Sequence, residues 1–482
     1  VVKGTAVYTS SFRPPTEPLT NITNTKLLCC NDSSVTGSTV TPGTITSNGD
    51  PTASTDSPFD DPAAFTFGDS KEGIIKTGSY AGNGSSTGPE VYLGWEPQWI
   101  LIKRDGTESW YIWDAMRGIV TGGNDEYINA NLRDPADDNP EAGNYLDLTS
   151  TGFKIVTTAN AANTDGSNYI YMAIRRPDGY VGKPAELGTG VFAMDTGAGS
   201  STVPNFDSGF PVDFATMKKT TDTSNWNTSA RLMAGKFIKT NENSAEAVMS
   251  NAAWDSNVGW DKNSNYDSNW QAFMWKRHAG FDMVTYKGSN SAGNNIPHNL
   301  GRAPEMIWIK DRDQAFDWLV GHNGLNGGSS PWNYGIKLNS NGTEWQHASL
   351  WSNTAPTSTH FTLGANADCN FTDNYIAMLF ASVNGISKVG YYDGSNSSQT
   401  ITTGFQPRFI IIKRTETSSG WIVLDTVRGW SSGDDEYLRL DNSAEQDAAI
   451  DWGAPTSTGF TLEGDLPGSN RSGGKFIYYA HA

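Results

Sequence analysis

Two short motifs pair an acid with a base at the same spacing. Asp114 and Arg117 lie in DAMRG, and Asp425 and Arg428 lie in DTVRG. Such a pair could hold a carboxylate or a sugar of a ligand, or it could form an ion pair that fixes the turn after a strand. Because both motifs occupy the same position in a repeated pattern, we interpret them as structural ion pairs.

Acidic clusters follow both motifs and could bind a cation. Clustered carboxylates suit Ca²⁺, which takes about six to eight oxygen ligands. Neither cluster has the spacing of an EF-hand loop, so we expect no cofactor and keep calcium as the alternative to a solvated loop. The candidate calcium ligands are Asp125, Glu126, Asp434, Asp435 and Glu436.

The sequence contains no motif that is typical of an enzyme. Its 6 histidines show no ligand spacing for zinc. No P-loop motif is present. We therefore expect no catalytic residue. A carboxylate pair for glycoside hydrolysis need not be close in sequence, so a polysaccharide depolymerase stays open as an alternative.

Exposed aromatic rings are a further candidate for chemistry, because sugars stack on them. Most tryptophans occupy recurring positions, which favours a place in the core. Loop packing or a subunit interface is the simpler explanation for the remaining aromatics, and glycan binding is the functional one. The candidate glycan-binding residues are Tyr266, Trp332, Tyr334 and Trp345.

The elements that must position these residues recur four times. Each copy begins with a turn glycine, usually a proline, and an apolar strand that ends in lysine. A tryptophan-led strand, a Gly-aromatic turn and a closing strand follow in the same order each time. The four opening segments are GWEPQWILIKR from Gly94, GFPVDFATMKK from Gly209, GRAPEMIWIKD from Gly301 and GFQPRFIIIKR from Gly404.

These repeats predict an all-β protein. The counts of Trp 17, Tyr 18, Phe 20 and Gly 51 suit strands joined by tight turns. We predict four tandem antiparallel β-sandwich repeats of about 100 residues, preceded by a different β segment. The predicted boundaries are 1–65 for that segment and 66–187, 188–280, 281–385 and 386–482 for repeats 1 to 4, of which repeat 2 is the most divergent.

The central strand of the repeat makes a prediction about packing. The run Ile410–Ile412 is apolar without alternation, and Trp99–Ile102 is similar. A sandwich strand with one face in water should alternate. We therefore expect its outer face to be covered by a loop, a neighbouring repeat or another copy of the chain. The last possibility predicts a homo-oligomer, and fibres in general suggest a trimer.

Charge and cysteine content limit the partners and the compartment. The net charge of −18 disfavours nucleic acid as a partner. Cys29, Cys30 and Cys369 give no disulfide framework, which predicts folding in a reducing host cytoplasm. No apolar run approaches the ~18 residues of a membrane span. Since no start methionine is present, we expect the C-terminal part of a longer protein.

Two parts of the chain resemble phage structural proteins. VVKGTAVYTSSF and TNTKLLCCN resemble the closing strands of laminin-G-like, concanavalin-A-type modules, which makes residues 1–65 the end of such a module. GSYAGNGS, GWEPQWILIKR, DAMRG and NYIYMAIRR resemble a repeat of marine cyanophage tail-fibre and other virion proteins. Repeat 2 departs from that pattern, because it carries PVDFATMKK and lacks the Asp-x-x-Arg-Gly turn.

The resemblance implies a phage virion protein of the tail or capsid surface, in a tail fibre or similar appendage. We expect it to assemble with itself and with other tail or capsid proteins, and to bind a host-surface glycan or protein. A capsid-surface decoration fibre, a polysaccharide depolymerase and a cellular lectin or adhesin are the alternatives.

Overall fold

Nearly every element that the structure describes is a β-strand, as a computed structural model of the chain shows. This confirms the predicted all-β fold. The helices among the described residues are single turns. No described helix has the length and apolarity needed to cross a membrane. The structure describes residues 21–29, 38–41, 43–46, 74–115, 117–119, 125–134, 143–149, 152–175, 187–233, 235–249, 252–254 and 256–482.

The chain forms two units, Val1–Phe67 and Gly68–Ala482. In the first unit, β1 (Leu28–Cys29) pairs antiparallel with β2 (Ser38–Val40). The laminin-G-like resemblance was based on residues 1–65, most of which lie outside the described residues. That interpretation stays a prediction.

Repeat 1 has a large and a small antiparallel sheet. Its described strands are β3 (Ile75–Ala81), β4 (Glu90–Tyr92), β5 (Pro97–Arg104), β6 (Trp110–Asp114), β7 (Tyr127–Asn129), β8 (Leu146–Thr149), β9 (Gly152–Ile155) and β10 (Asn168–Arg175). The large sheet has the order β3-β10-β5-β6-β7 and the small sheet the order β4-β9-β8. Phe153 and Tyr171 pack edge to face between the two layers, with ring centroids 5.6 Å apart.

Repeat 2 keeps the large sheet and has shorter additional strands. Its described strands are β11 (Phe192–Thr196), β12 (Phe206–Asp207), β13 (Phe214–Lys219), β14 (Asn227–Ala230), β15 (Lys236–Phe237), β16 (Ala247–Val248), β17 (Gly259–Trp260) and β18 (Trp270–Trp275). The sheets have the orders β11-β18-β13-β14, β12-β17 and β15-β16. Short 3-10 helices span Gly188–Gly190 and Arg231–Met233.

Repeat 3 has the longest aromatic loop, which folds into 3-10 turns at Leu325–Gly328 and Pro331–Asn333. Its strands are β19 (Phe281–Lys287), β20 (Asn294–Pro297), β21 (Met306–Asp311), β22 (Leu319–His322), β23 (Tyr334–Lys337), β24 (Trp345–Gln346), β25 (His360–Leu363) and β26 (Asn374–Phe380). The sheets have the orders β19-β26-β21-β22-β23-β24 and β20-β25, and the one-turn helix α1 spans Ala367–Asn370.

Repeat 4 follows the same plan. Its strands are β27 (Ser387–Asp393), β28 (Gln399–Thr402), β29 (Phe409–Arg414), β30 (Trp421–Asp425), β31 (Asp435–Arg439), β32 (Asp447–Ile450), β33 (Pro455–Thr456), β34 (Gly459–Leu462) and β35 (Lys475–His481). The sheets have the orders β27-β35-β29-β30-β31-β32 and β28-β34-β33. In every repeat the closing strand lies between the opening strand and the lysine-ended strand.

The glycine that opens each recurring segment has a positive φ. The values are 83° at Gly94, 75° at Gly209, 75° at Gly301 and 89° at Gly404. An L side chain is strained in this region of φ, whereas glycine adopts it at little cost. The repeated glycine is therefore required by the turn that starts the central strand.

Replacing Gly404 tests this requirement. Gly404→Ala should lower the free energy of unfolding by about 1 kcal/mol, because alanine is strained at positive φ. A new Cβ would meet no atom within 4 Å, so steric overlap does not contribute. Urea unfolding measures the change. Gly190→Ala is the matched control, since its Cβ site is equally open and its φ is not in the strained range. An equal loss in both variants would contradict the explanation.

Candidate functional site: a sheet face shared between repeats

The large sheets of repeats 2, 3 and 4 are covered on both faces. In repeat 4, Ile410 and Ile412 pack against that repeat's own small sheet. The alternate residues Phe409 and Ile411 belong instead to a core that includes side chains of the other repeats. The predicted outer cover of the non-alternating strand is thus, in repeat 4, supplied by neighbouring repeats. We call this second core the shared core.

Aromatic rings from three repeats meet in the shared core. The ring centroid of Phe409 in repeat 4 lies 5.0 Å from Phe192 and 5.1 Å from Phe273, both in repeat 2. Phe380 of repeat 3 lies 4.9 Å from Tyr479 of repeat 4. These distances and tilted geometries are typical of favourable aromatic pairs. The three large sheets therefore enclose one common apolar volume.

The tryptophan at the start of the tryptophan-led strand links each of these three repeats to a neighbouring repeat. In each case the buried indole Nε1–H donates to a backbone carbonyl of another repeat. The bonds run from Trp226 to Arg439 O (2.8 Å), from Trp421 to Lys337 O (2.9 Å) and from Trp318 to Lys239 O (2.7 Å). Repeat 2 thus donates to repeat 4, repeat 4 to repeat 3, and repeat 3 to repeat 2.

A second set of bonds joins the same three pairs of repeats through the backbone, in the opposite sense around the cycle. Each amide N–H donates to the carbonyl that follows the central strand of the neighbouring repeat. The bonds run from Glu246 to Arg312 (2.8 Å), from Glu344 to Thr415 (2.9 Å) and from Gln446 to Thr220 (2.9 Å). Since all three interfaces contain the same two bonds, repeats 2, 3 and 4 form a closed cycle with approximate three-fold symmetry. We call these three repeats the ring.

The large sheet of repeat 1 has an equivalent outer face, but this face is not covered by the described residues of other repeats. Trp110 holds the position of the ring tryptophans, and its backbone N–H donates to Asn131 Oδ1 as that of Trp318 donates to Asn339 Oδ1. Yet Trp110 is 39% exposed, whereas Trp318 is 0% exposed. We call this surface the open face; its apolar members are Trp99, Leu101, Trp110, Ile112, Ile170 and Met172.

Repeat 1 is joined to the ring elsewhere, through buried charges. Arg277 Nη1 lies 2.5 Å from Glu96 Oε1 of repeat 1, and its Nε lies 2.8 Å from Asp282 Oδ1 of repeat 3. The Arg277 backbone N–H donates to Asp213 Oδ2. Burial disfavours the charged guanidinium, but the carboxylates of Glu96 and Asp282 outweigh it and raise the pKa of Arg277. One arginine therefore connects three repeats.

The recurring lysine at the end of the central strand is buried in the ring. Lys310 Nζ donates to the carbonyls of Asp311 (2.6 Å) and Gln314 (3.2 Å), and Lys413 Nζ donates to Asn341 O of repeat 3 (3.1 Å). Burial lowers the pKa of Lys218, Lys310 and Lys413 to about 8. A lysine with a lowered pKa can act as a nucleophile, but the ammonium groups of Lys310 and Lys413 hold backbone carbonyls of loops.

Both predicted ion pairs are present. Asp114 pairs with Arg117, and Asp425 Oδ2 lies 2.5 Å from Arg428 Nε. In each motif the aspartate also accepts the arginine backbone N–H. The Arg428 guanidinium lies 5.8 Å from the ring of Phe273, so the second pair belongs to the interface between repeats 4 and 2. The first pair follows β6 of repeat 1, the strand that carries Trp110.

The acidic clusters serve their own loops. Asp125 Oδ2 accepts the backbone N–H groups of Tyr145 (2.7 Å) and Leu146 (2.9 Å). Asp435 accepts those of Ser431 (2.9 Å) and Trp452 (2.8 Å), and burial raises its pKa to about 6. Asp434 is exposed, and Glu126 and Glu436 are half-buried. Among the described residues, no three His, Cys, Asp or Glu side chains are grouped to hold a metal ion.

The four candidate glycan-binding aromatics are not brought together on one surface by their contacts. Trp332 is 8% exposed and packs edge to face on Trp351 within repeat 3. Tyr266 packs against Trp270 of repeat 2, with ring centroids 4.6 Å apart. Tyr334 and Trp345 are half-buried, and the Lys337 ammonium lies 5.8 Å from the ring of Trp345. Tyr266 is half-buried as well.

Sequence reasoning missed a buried asparagine that holds the first loop of each repeat. Its amide Nδ2 donates to two loop carbonyls, and its Oδ1 accepts a loop N–H in every repeat. The residues are Asn163, Asn205, Asn370 and Asn470. In repeats 1, 3 and 4 the asparagine shortly precedes the closing strand, and this spacing could have revealed it. In repeat 2 it comes from the other side of the loop, so alignment fails there.

A buried histidine also belongs to the ring. His322 of repeat 3 lies 3.3 Å through Nε2 from the Tyr478 carbonyl of repeat 4, and its Nδ1 accepts the Gly324 N–H at 2.9 Å. Burial lowers the pKa of His322 to about 3, although the bond to the Tyr478 carbonyl opposes this shift. The folded protein therefore holds this imidazole neutral.

The fold defines the chain as an all-β tandem-repeat protein. A family model described as "Domain of unknown function (DUF7483)" matches residues 6–176 and 233–482, and the chain belongs to this family. The unmatched stretch, 177–232, includes the first strands of the divergent repeat 2. No curated protein and no solved structure matches the chain.

Removing one ring tryptophan tests the shared core. Trp318→Ala should lower the free energy of unfolding by about 3–5 kcal/mol, because it leaves a cavity and an unpaired carbonyl between repeats 2 and 3. A urea titration, with circular dichroism as the signal, measures the loss of free energy of unfolding. Trp345→Ala removes the same side chain from a half-buried position of the same repeat and should cost about half as much or less. Equal losses would show that the ring position has no special role.

The His322 imidazole gives the ring a dependence on pH. Between its folded pKa of about 3 and the ordinary value near 6.5, the unfolded chain binds a proton that the folded chain does not. Stability from this group is therefore lost as the pH falls below about 6.5, by about 2 kcal/mol at pH 5.

His322→Gln removes this titration. Between about pH 7.5 and pH 5, its free energy of unfolding should fall by about 2 kcal/mol less than that of the wild type. Asp261 and Asp435, whose pKa values burial raises to about 6, are present in both proteins and cancel in the comparison. Parallel pH profiles for the two proteins would refute the assignment.

Proposed function

We propose that the chain is a structural protein of a phage virion, part of a tail fibre or similar appendage, that forms a homo-oligomer and contacts a host-surface glycan or protein. The observation that carries this proposal is the cyclic set of identical bonds within the ring. It makes one rigid block from three repeats and uses the recurring residues for packing. A rigid block with variable loops suits an appendage that must project and present a surface.

The buried reactive groups support a non-catalytic role. Cys369 is fully buried, and burial raises the pKa of its thiol, which disfavours the nucleophilic thiolate. His322 is neutral and bonded to backbone groups on both ring nitrogens. Lys310 and Lys413 bond to backbone carbonyls. In this proposal the chain holds and presents, and it does not turn over a substrate.

Recognition would lie where the repeats differ. In repeat 3, Trp345 lies on β24 and is half-buried, with the Lys337 ammonium above its indole ring. A partly exposed indole offers a flat apolar surface to a sugar ring. The side chain therefore suits a glycan contact better than the buried Trp332 does.

Localisation on the particle tests the proposal. Gold-labelled antibodies against the recombinant chain should decorate the tail appendages of purified particles of the phage that encodes it. Particles treated with pre-immune serum are the control. Label on the capsid surface would support a decoration fibre instead, and unlabelled particles that also lack its peptides in mass spectrometry would favour a cellular lectin or adhesin.

Binding and turnover separate the remaining alternatives. The recombinant chain should adsorb to host cells, and Trp345→Ala should weaken adsorption at least threefold while Trp332→Phe, which preserves packing, should not. Release of reducing ends from host polysaccharide by the wild-type chain would replace this proposal with a depolymerase.

A further inference from the structure

The open face of repeat 1 has the cross-strand pattern of a shared-core face. Met172, Leu101, Ile112 and Ile128 lie opposite one another on four neighbouring strands. All four are half-buried. Their register makes a continuous apolar row across the large sheet, on the side away from the small sheet of repeat 1.

The equivalent row of repeat 3 is completely covered by the ring. Met378, Trp308, Val320 and Ile336 lie opposite one another in the same strand order, and none is more than 1% exposed. Two residues earlier on the same strand and the same face, Ile170 of repeat 1 is 50% exposed, whereas its counterpart Ile376 in repeat 3 is 0% exposed. The same sheet face is therefore buried in repeat 3 and open in repeat 1.

We propose that two further copies of this chain cover the open face, so that three repeat 1 sheets pack around an axis as repeats 2, 3 and 4 pack within one chain. This deepens the homo-oligomer of the proposed function by naming its surface and its number of copies. The ring interfaces are head to tail, because each repeat donates its indole N–H to one neighbour and its backbone N–H to the other. Head-to-tail contacts of this rotation close at three members.

The ring also indicates which polar contact would join the copies. Each ring tryptophan donates to the carbonyl two residues before the Asn or Asp that accepts the backbone N–H of the neighbouring repeat's tryptophan. Trp421 donates to the Lys337 carbonyl, and Asn339 accepts the backbone N–H of Trp318. In repeat 1 that acceptor is Asn131, so the corresponding carbonyl belongs to Asn129. We expect Trp110 of each copy to donate to the Asn129 carbonyl of the next.

Charge does not oppose this association at the open face. The chain carries −18 overall, which would keep copies apart if the charge were concentrated there. Within the sheet face, Lys103 bonds to the carbonyls of Arg104 and Gly106, and Asp114 is paired with Arg117. The apolar row is thus flanked by satisfied charges, as in the interface between repeats 4 and 2.

Light scattering coupled to size exclusion tests the proposal on the full chain. The wild type should have about three times the mass of one 52.1 kDa chain. Ile170→Asp should raise the concentration for half-dissociation at least tenfold, because it places a carboxylate on the open face. Val427→Asp is the matched control, since Val427 is 52% exposed in repeat 4 and lies outside the open face. It should leave the trimer intact.

Trp110→Phe supplies a second variant that removes only the indole N–H and part of the ring. It should weaken the trimer less than Ile170→Asp does, and circular dichroism should show both variants folded. A monomeric or dimeric wild type would overturn the proposal. So would a trimer that Ile170→Asp leaves unchanged, because the copies would then use another surface. Since this test measures mass alone, a trimer that is missing from virions would refute only the proposed location.

Discussion

A sheet with two apolar faces must be covered on both, and the rest of this structure follows from that constraint. Each repeat is too thin to bury its large sheet alone, since its small sheet covers one face only. In repeats 2, 3 and 4 the second face is buried by the other two repeats. The apolar area removed from water in this way, rather than any single bond, is the main source of cohesion. The tryptophan bonds then fix the direction in which the repeats follow one another.

The ring also explains why its repeats are unequal in sequence. A shared volume has to be filled once, so a large side chain from one repeat requires a smaller one from another. Repeat 2 contributes Thr216 and Thr228 where repeat 3 has Trp308 and Val320. The two threonine hydroxyls bond to each other at 2.8 Å, so the polar pair is satisfied although buried. The segment that departs most from the repeat pattern is therefore the one that makes room for its neighbours.

The sequence was sufficient for the fold class because the signals for it are local. Turn glycines and apolar strands act within a few residues, and Gly404 and the Ile410–Ile412 run could be interpreted without knowledge of distant contacts. The need for cover on both faces of that run could also be predicted. Which element supplies the cover could not, because it depends on how strands some two hundred residues apart meet. Trp226 and Arg439 illustrate this, since nothing near either residue indicates their bond.

The candidate site shows the same division between local and distant information. The pairs Asp114 with Arg117 and Asp425 with Arg428 are three residues apart, and a fixed spacing on a turn was enough to predict them. Glycan contact at Trp332 was inferred from its absence from the repeat pattern, yet an off-pattern side chain can still be buried when its loop folds back, as the 3-10 turn Pro331–Asn333 does. The exposure of Trp110 was hidden for the opposite reason. Its position is common to all four repeats, and only the comparison of its burial with that of its counterparts distinguishes an exposed tryptophan from a core residue.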